Sequence, residues 1–238
     1  MKKSILLVAA LLMASTINAQ KKIKGNGNVT TINRTTSMYD AVSFVGSFDY
    51  ILVSGKEGRI TIEGEENLLP YIITEVNNGT LNIRTENKIS LQTSINKTIK
   101  IIVPFEEINS VSLTGSGDVW NQNTISARDF RTALTGSGDI QLDVEATSVE
   151  VNVTGSGDVT LKGRTRNLKV NVAGSGDFKG YHLESTDVDV SVNGSGDAKV
   201  ACSRHLKARV SGAGNIRYSG TPKTEDSEVA GSGAISNN

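Results

Sequence analysis

The sequence predicts an all-β chain wound as a parallel β-helix, a β-solenoid with coils of about 19 residues, and three observations carry that prediction. The first is a returning tetrapeptide. Gly-Ser-Gly-Asp stands at Gly115 to Asp118, Gly136 to Asp139, Gly155 to Asp158, Gly174 to Asp177 and Gly194 to Asp197. It then decays to Gly212-Ala213-Gly214-Asn215 and Gly231-Ser232-Gly233-Ala234, and successive first glycines lie 18 to 21 residues apart. A short fixed period marks an architecture in which each copy is one unit stacked on the last. The second observation is strict alternation before each turn: Val149, Val151 and Val153, then Leu168, Val170 and Val172, then Val188, Val190 and Val192. β-Branched residues at every second position make a strand with one buried face.

The third observation separates a solenoid from a hairpin meander, in which neighbouring strands run antiparallel and identical turns never lie side by side. Five residues before each turn the chain reads Arg131, Glu150, Lys169, Asp189, Lys207 and Asp226. Coils stacked in parallel register, about 4.8 Å apart, place these residues in one column, where opposite charges on adjacent strands attract and like charges repel. The alternating sign therefore favours the solenoid independently of the glycines.

In chain order, Met1 to Ala19 reads as a secretory signal peptide. Lys2 and Lys3 form its charged end, Ile5 to Met13 its apolar core, and Ile17-Asn18-Ala19 a cleavage site before Gln20. No cysteine follows that site, so no lipid attachment is expected there. No later apolar run approaches the roughly 20 residues of a membrane span. The expected location is the periplasm, the outer-membrane surface or the medium.

Residues 20–238 are read as a single solenoid domain, with 20–105 as irregular N-terminal coils that cap the stack and 106–238 as the regular repeats. A small separate β domain over the first part is the alternative. Strands are expected at Ala41 to Val45, Tyr50 to Val53, Arg59 to Glu63, Ile72 to Val76, Thr80 to Thr85 and Thr98 to Val103, with Asn77-Asn78-Gly79 as a tight turn. A short helical turn is expected over Glu65 to Leu69, before Pro70.

Each regular copy is a strand, a Gly turn, a second strand and a shorter return segment. The apolar residue after each turn (Val119, Ile140, Val159, Phe178, Ala198, Ile216, Ile235) continues the inward row. In the last copy the inward positions hold Glu225 and Ser227, so Thr221 to Asn238 is expected to form a loosely packed cap. Cys202, the one cysteine, has no disulfide partner and reads as a buried inert thiol. The formal net charge is zero, which argues against a sequence-independent nucleic-acid binder.

The tetrapeptide array resembles the bacterial family described as putative auto-transporter adhesin, head GIN domain. So do Phe48-Asp49-Tyr50-Ile51-Leu52-Val53, Glu63-Gly64-Glu65-Glu66-Asn67-Leu68-Leu69-Pro70 and Asn78-Gly79-Thr80-Leu81. The resemblance covers nearly all of the chain after residue 19. It implies a right-handed parallel β-helix of the pectin-lyase kind, export in Gram-negative bacteria and a role in adhesion, and it supplies no catalytic motif.

Three kinds of site are weighed on the residues themselves. Stacked carboxylates attract calcium, but there is one Asp per coil here and no second carboxylate in the motif. The ladder of Gly115 and Asp118, Gly136 and Asp139, Gly155 and Asp158, Gly174 and Asp177, and Gly194 and Asp197 is therefore assigned to turn structure. In that role the Asp accepts nearby amides, as Asn215 does without charge. No metal or cofactor is expected.

A glycosidase needs two carboxylates roughly 5 to 9.5 Å apart, and Asp187 with Asp189 and Asp143 with Glu145 offer such pairs. Both are read as ladder-paired surface charges, and His182 and His205 as surface histidines one coil apart and able to stack. No catalytic residue is assigned. A ligand column is the third candidate: Trp120, Gln141, Thr160, Lys179, Lys199 and Arg217 face outward in successive coils. Trp120, Lys179, Lys199 and Arg217 are its candidate binding residues, with Asp177 and Asp197 expected to neutralise the lysine beside each.

The resulting expectation is a non-enzymatic, adhesin-like binding protein of the cell envelope that meets a glycan or protein at the cell surface, with no nucleic-acid partner and a homo-oligomer left open. A pectinase-like polysaccharide-processing enzyme and a structural envelope module are the alternatives.

Overall fold

The computed structural model describes residues 20–238, so the expected signal peptide lies outside the described residues. The tetrapeptide turns stack in one line. Gly115, Gly136, Gly155, Gly174, Gly194, Gly212 and Gly231 pair in succession on parallel strands, each opposite its counterpart in the next coil. The same registers place Arg131 opposite Glu150, then Lys169, Asp189, Lys207 and Asp226. The chain is thus a parallel β-helix, and Val149 to Val153, Leu168 to Val172 and Val188 to Val192 send their alternate side chains into one continuous buried core.

Stacking explains both glycines of the motif. The first takes a left-handed backbone, φ +121° at Gly155, and a Cβ there would sit 2.3 Å from the Gly136 carbonyl oxygen. The second is excluded from bearing a side chain by its neighbour alone, because a Cβ on Gly157 would lie 1.9 Å from the carbonyl oxygen of Gly138. Gly136 O in turn accepts two amides of the next coil, Ser156 N at 2.9 Å and Gly157 N at 3.1 Å.

The N-terminal part differs from a run of irregular coils. Ala41–Gly46 and Asp49–Ser54 form a regular coil that pairs in parallel with Ser110–Gly115 and Asp118–Asn121. Its turn, Gly46-Ser47-Phe48-Asp49, is a further copy of the motif with Phe in place of the second glycine. A side chain is tolerated there because the coil on the other side, Thr80–Thr85 with Lys100–Phe105, closes through a long connection instead of a Gly turn. Phe48 is buried and tilts against Tyr50, which stacks on Phe44.

Chain order and spatial order therefore part company. After the first coil the chain leaves to build the outer coil and returns on the opposite side at Ser110. The stack closes with antiparallel pairs: Val29–Thr35 on Arg59–Glu65, Arg59–Glu65 on Lys100–Phe105, and Ile72–Asn77 on Thr80–Thr85. The last pair turns at Asn78 (φ 51°) and Gly79 (φ 75°), the two positive angles of a type I′ turn. Lys21–Lys24 pairs separately with Ile89–Gln92.

The short helical turn is a 3-10 turn at Leu69–Tyr71, and it contains Pro70 instead of ending before it. Proline fits a first turn, where its missing N–H has no partner to lose. Beside it Glu65, only 1% exposed, ties two loops to the cap: it accepts Gly27 N at 2.6 Å, Ser94 N at 2.8 Å and Ser94 Oγ at 2.6 Å.

At the other end, Thr224–Gly231 and Ala234–Asn237 keep full parallel register with the preceding coil. The terminal segment thus keeps the backbone pairing of a regular coil while its side chains stay exposed on both faces, as expected of a loosely packed cap. Cys202 is a buried free thiol, and burial pushes its pKa up.

Candidate functional site

The Asp ladder binds coil to coil. Asp118, Asp139, Asp158, Asp177 and Asp197 each accept, through Oδ1, the amide of the ladder residue in the next coil, at 3.2, 3.0, 3.0, 2.8 and 2.9 Å. Asn215 does the same for Ala234 at 3.1 Å. The hydrogen bond is thus made across the stack and not within its own turn, as local turn chemistry would have it. The first glycine's carbonyl serves two amides of the next coil, and the Asp Oδ1 serves the following one, which at Asp139 it shares with Gly117 O at 3.2 Å. Among the described residues no three His, Cys, Asp or Glu side chains converge as a metal-holding group.

The outward column two residues on runs Ile102, Ile51, Trp120, Gln141, Thr160, Lys179, Lys199, Arg217 and Ser236. Trp120 is half-buried between Ile51 and Gln141, so the column begins apolar and becomes basic. Its cations are paired differently from expectation. Lys179 Nζ bonds Asp158, one coil back, at 2.6 Å, not Asp177 of its own coil, and this bond raises its pKa. Arg217 likewise lies 3.8 Å from Asp197 of the preceding coil. Asp158 stands two residues before Thr160, which lies opposite Lys179, so the long lysine side chain reaches it diagonally between neighbouring coils. Lys199 has no carboxylate within 4.0 Å among the described residues.

Both carboxylate pairs proposed for hydrolysis are tied up by cations. Asp189 meets Lys207 at 3.1 Å, Asp143 meets Lys162 at 3.3 Å and Glu145 meets Arg164 at 3.4 Å. Asp187 accepts from Arg204 through Nε at 2.9 Å and through Nη2, and this hydrogen bonding holds its carboxyl below the usual range. A general acid needs the opposite shift. His182 and His205 do not stack, because His182 lies opposite Lys162 and His205 opposite Asp187, in different columns.

Two open grooves cross the coils, and the sequence reading named neither. One, of about 660 Å³, runs between the Asp129 to Thr224 and Arg131 to Asp226 columns over the backs of Phe130, Val149, Leu168, Val188 and Leu206. These floor residues are at most 3% exposed. The other, of about 1130 Å³, lies at the adjoining corner, with a floor of small residues that includes Ala127, Ala146, Thr165 and Ser185. The signal for the second groove was present in the sequence as small residues at one phase of the repeat.

Comparison with known proteins places this architecture. Residues 38–222 match the family model described as putative auto-transporter adhesin, head GIN domain. The structure is similar to that of a putative adhesin from Bacteroides fragilis NCTC 9343, with a TM-score of 0.82 and 24% identity over 91% of this chain and 100% of that one. It is also similar to a putative lipid binding protein from Parabacteroides distasonis ATCC 8503, with a TM-score of 0.77 and 27% identity over 92% of this chain and 100% of that one. A putative adhesin from Parabacteroides merdae ATCC 43184 follows at 0.74 and 21% identity, over 92% and 99%. No curated protein matches the chain.

Proposed function

The chain belongs to the putative auto-transporter adhesin, head GIN domain family, and we propose that it acts as an exported, non-enzymatic binding protein of the cell envelope whose rigid outer faces hold a surface glycan. One observation carries this reading: the two grooves are open, extended and aligned with the stack, a shape suited to a polymer and not to a small enclosed substrate. Apart from Glu184, the carboxylates that line them lie within 4.0 Å of a Lys or Arg, which favours a structural role over acid and base chemistry. Export rests on Met1 to Ala19, as read from the sequence.

One neighbour is named a lipid binding protein. Polar and charged side chains rim the first groove on both sides, among them Asn167, Lys169, Asp187 and Asp189, which suits a polar polymer better than an acyl chain. The test is a glycan and matrix-protein array probed with residues 20–238. Selective binding to glycans is the expected result, and binding to proteins alone would replace the reading.

A further inference from the structure

One outward column breaks the rule that the charged columns obey. At the corner beside the second groove the coils present Arg128, Thr147, Arg166, Thr186, Arg204 and Lys223 in succession. These positions fall where the ladder skips a residue, between Ala127 opposite Ala146 and Asp129 opposite Ser148, and between Thr165 opposite Ser185 and Asn167 opposite Asp187. Arg204 N bonds Thr186 O and Lys223 N bonds Arg204 O, which continues the line.

In the column from Arg131 to Asp226 each cation faces an anion in the next coil; at the corner threonines separate the three arginines, and Arg204 is followed directly by Lys223. Arg166 and Lys223 are exposed and have no carboxylate within 4.0 Å among the described residues. Arg128 is 90% exposed at its side chain and reaches only its neighbour Asp129, at 3.9 Å. Arg204 is fixed by Asp187 through Nε and Nη2, which leaves the N–H groups of Nη1 for another partner.

Arginines two coils apart stand about 9.6 Å from one another along the stack. That is close to the length of a disaccharide, and hydroxyl groups lie between them. Guanidinium groups bind carboxylate or sulfate in a two-pronged fashion, and threonine bonds neutral sugar hydroxyls. A single nucleic-acid strand carries a charge every ~3.4 Å and fits this spacing poorly.

Building on the glycan-binding reading above, we propose that the corner groove binds a linear acidic glycan in which charged and neutral sugars alternate. The charged units lie on Arg128, Arg166 and Arg204, the neutral ones on Thr147 and Thr186, and the chain runs along the solenoid axis above the small-residue floor.

The test is calorimetric titration of residues 20–238 with a decasaccharide of alternating glucuronate and N-acetylglucosamine. The comparison probes are a neutral N-acetylglucosamine oligomer, a polyuronate of the same length and an oligothymidylate. Parent protein is compared with Arg128→Ser/Arg166→Ser and with Lys22→Ser/Lys24→Ser, two exposed cations remote from both grooves, each checked for an unchanged melting temperature. The expected result is preference for the alternating glycan and about tenfold weaker binding by the corner variant, from two lost exposed ion contacts. The second variant should stay close to the parent. Equal losses in both variants, or oligothymidylate binding as tightly as the glycan, would overturn the proposal. If other glycans bind on the array but this one does not, the corner inference fails and the broader reading stands; if no glycan binds, both fail.

Discussion

Three substitutions on the Asp ladder separate what its oxygen does from what its charge does. Asp158 uses Oδ1 for the amide of Asp177, at 3.0 Å, and Oδ2 for Lys179, at 2.6 Å. Asp158→Asn keeps the acceptor and loses the ion pair, which at this exposure costs about 0.5 kcal/mol. Asp158→Ala also strands a half-buried amide and should cost about 2 kcal/mol. In a domain of this size 1 kcal/mol moves the melting temperature by about 2 to 4 °C. Calorimetry should therefore find the Asn variant about 1 to 2 °C below the parent and the Ala variant about 4 to 8 °C below.

Asp118 should respond with the opposite sign. It stands between Asp49 and Asp139, and desolvation together with their charges raises its pKa. Its folded state thus binds a proton more readily than its unfolded state, so ionisation at neutral pH works against the fold. Asp118→Asn, which keeps the oxygen for Asp139 N, should raise the melting temperature by about 1 to 2 °C at pH 7, and the gain should shrink as the solution is acidified. Asn and Ala variants of Asp158 that melted together would refute the acceptor argument, and an Asp118→Asn protein less stable than the parent would refute the charge argument.

Other outcomes can be checked in the same way. Gly157→Ala places a methyl 1.9 Å from Gly138 O and should cost about 4 kcal/mol or more, whereas Ser156→Ala on the exposed position of the same turn should melt like the parent. Tyr50 is buried with its hydroxyl unbonded among the described residues, so Tyr50→Phe should stabilise by about 1 kcal/mol in urea titration. Hydrogen bonds from Ser94 and Gly27 hold the Glu65 carboxyl below its ordinary value of 4.5, so its stabilisation is complete above that pH and disappears as pH falls through the lower folded-state value. Glu65→Ala should cost about 3 kcal/mol at pH 7 and progressively less below pH 4, measured by denaturant unfolding across pH.

The regular half was legible because each coil repeats the same constraints: the Val rows, the Gly turns and the alternating charges all point to one register. Gly46-Ser47-Phe48-Asp49 escaped notice because Phe48 sits where no Gly turn stacks beneath it, and the motif loses its second glycine where that constraint ends. The detour from Ser54 to Ser110 was hidden for a different reason. Its strands are individually visible, but nothing in a local pattern says that Thr80–Thr85 lies on one side of Ala41–Gly46 and Ser110–Gly115 on the other. The Lys179 to Asp158 pair depends on an offset between neighbouring strands, which sequence spacing does not encode. The corner arginines belong to no strand alternation, so they showed no phase until the registers on either side were known.

The exposed last coil bears on whether these molecules assemble end to end. Thr224–Gly231 pairs on one side only, and its other edge offers free backbone groups of the kind that recruit further strands. Position 225 lies opposite the buried Leu206 and position 227 opposite the buried Ala208, so both face the core axis at its open end. Glu225 occupies this place with its carboxylate accepting from Tyr218 Oη at 2.7 Å and from Ser227 Oγ at 2.6 Å. A second molecule docking here would strip water from that carboxylate without supplying a cation, a penalty of several kcal/mol. Outward on the same strand, Asp226 and Glu228 share the single guanidinium of Arg209, so two such ends brought together would also set acid against acid. Residues 20–238 should therefore sediment as a monomer at neutral pH. Glu225→Val/Ser227→Val removes the buried-charge penalty and extends the apolar core to the edge, and it should produce concentration-dependent association. A double variant as monodisperse as the parent would move the guard from Glu225 to the outward pair, and Asp226→Asn/Glu228→Gln added to the same protein would then be required to release it.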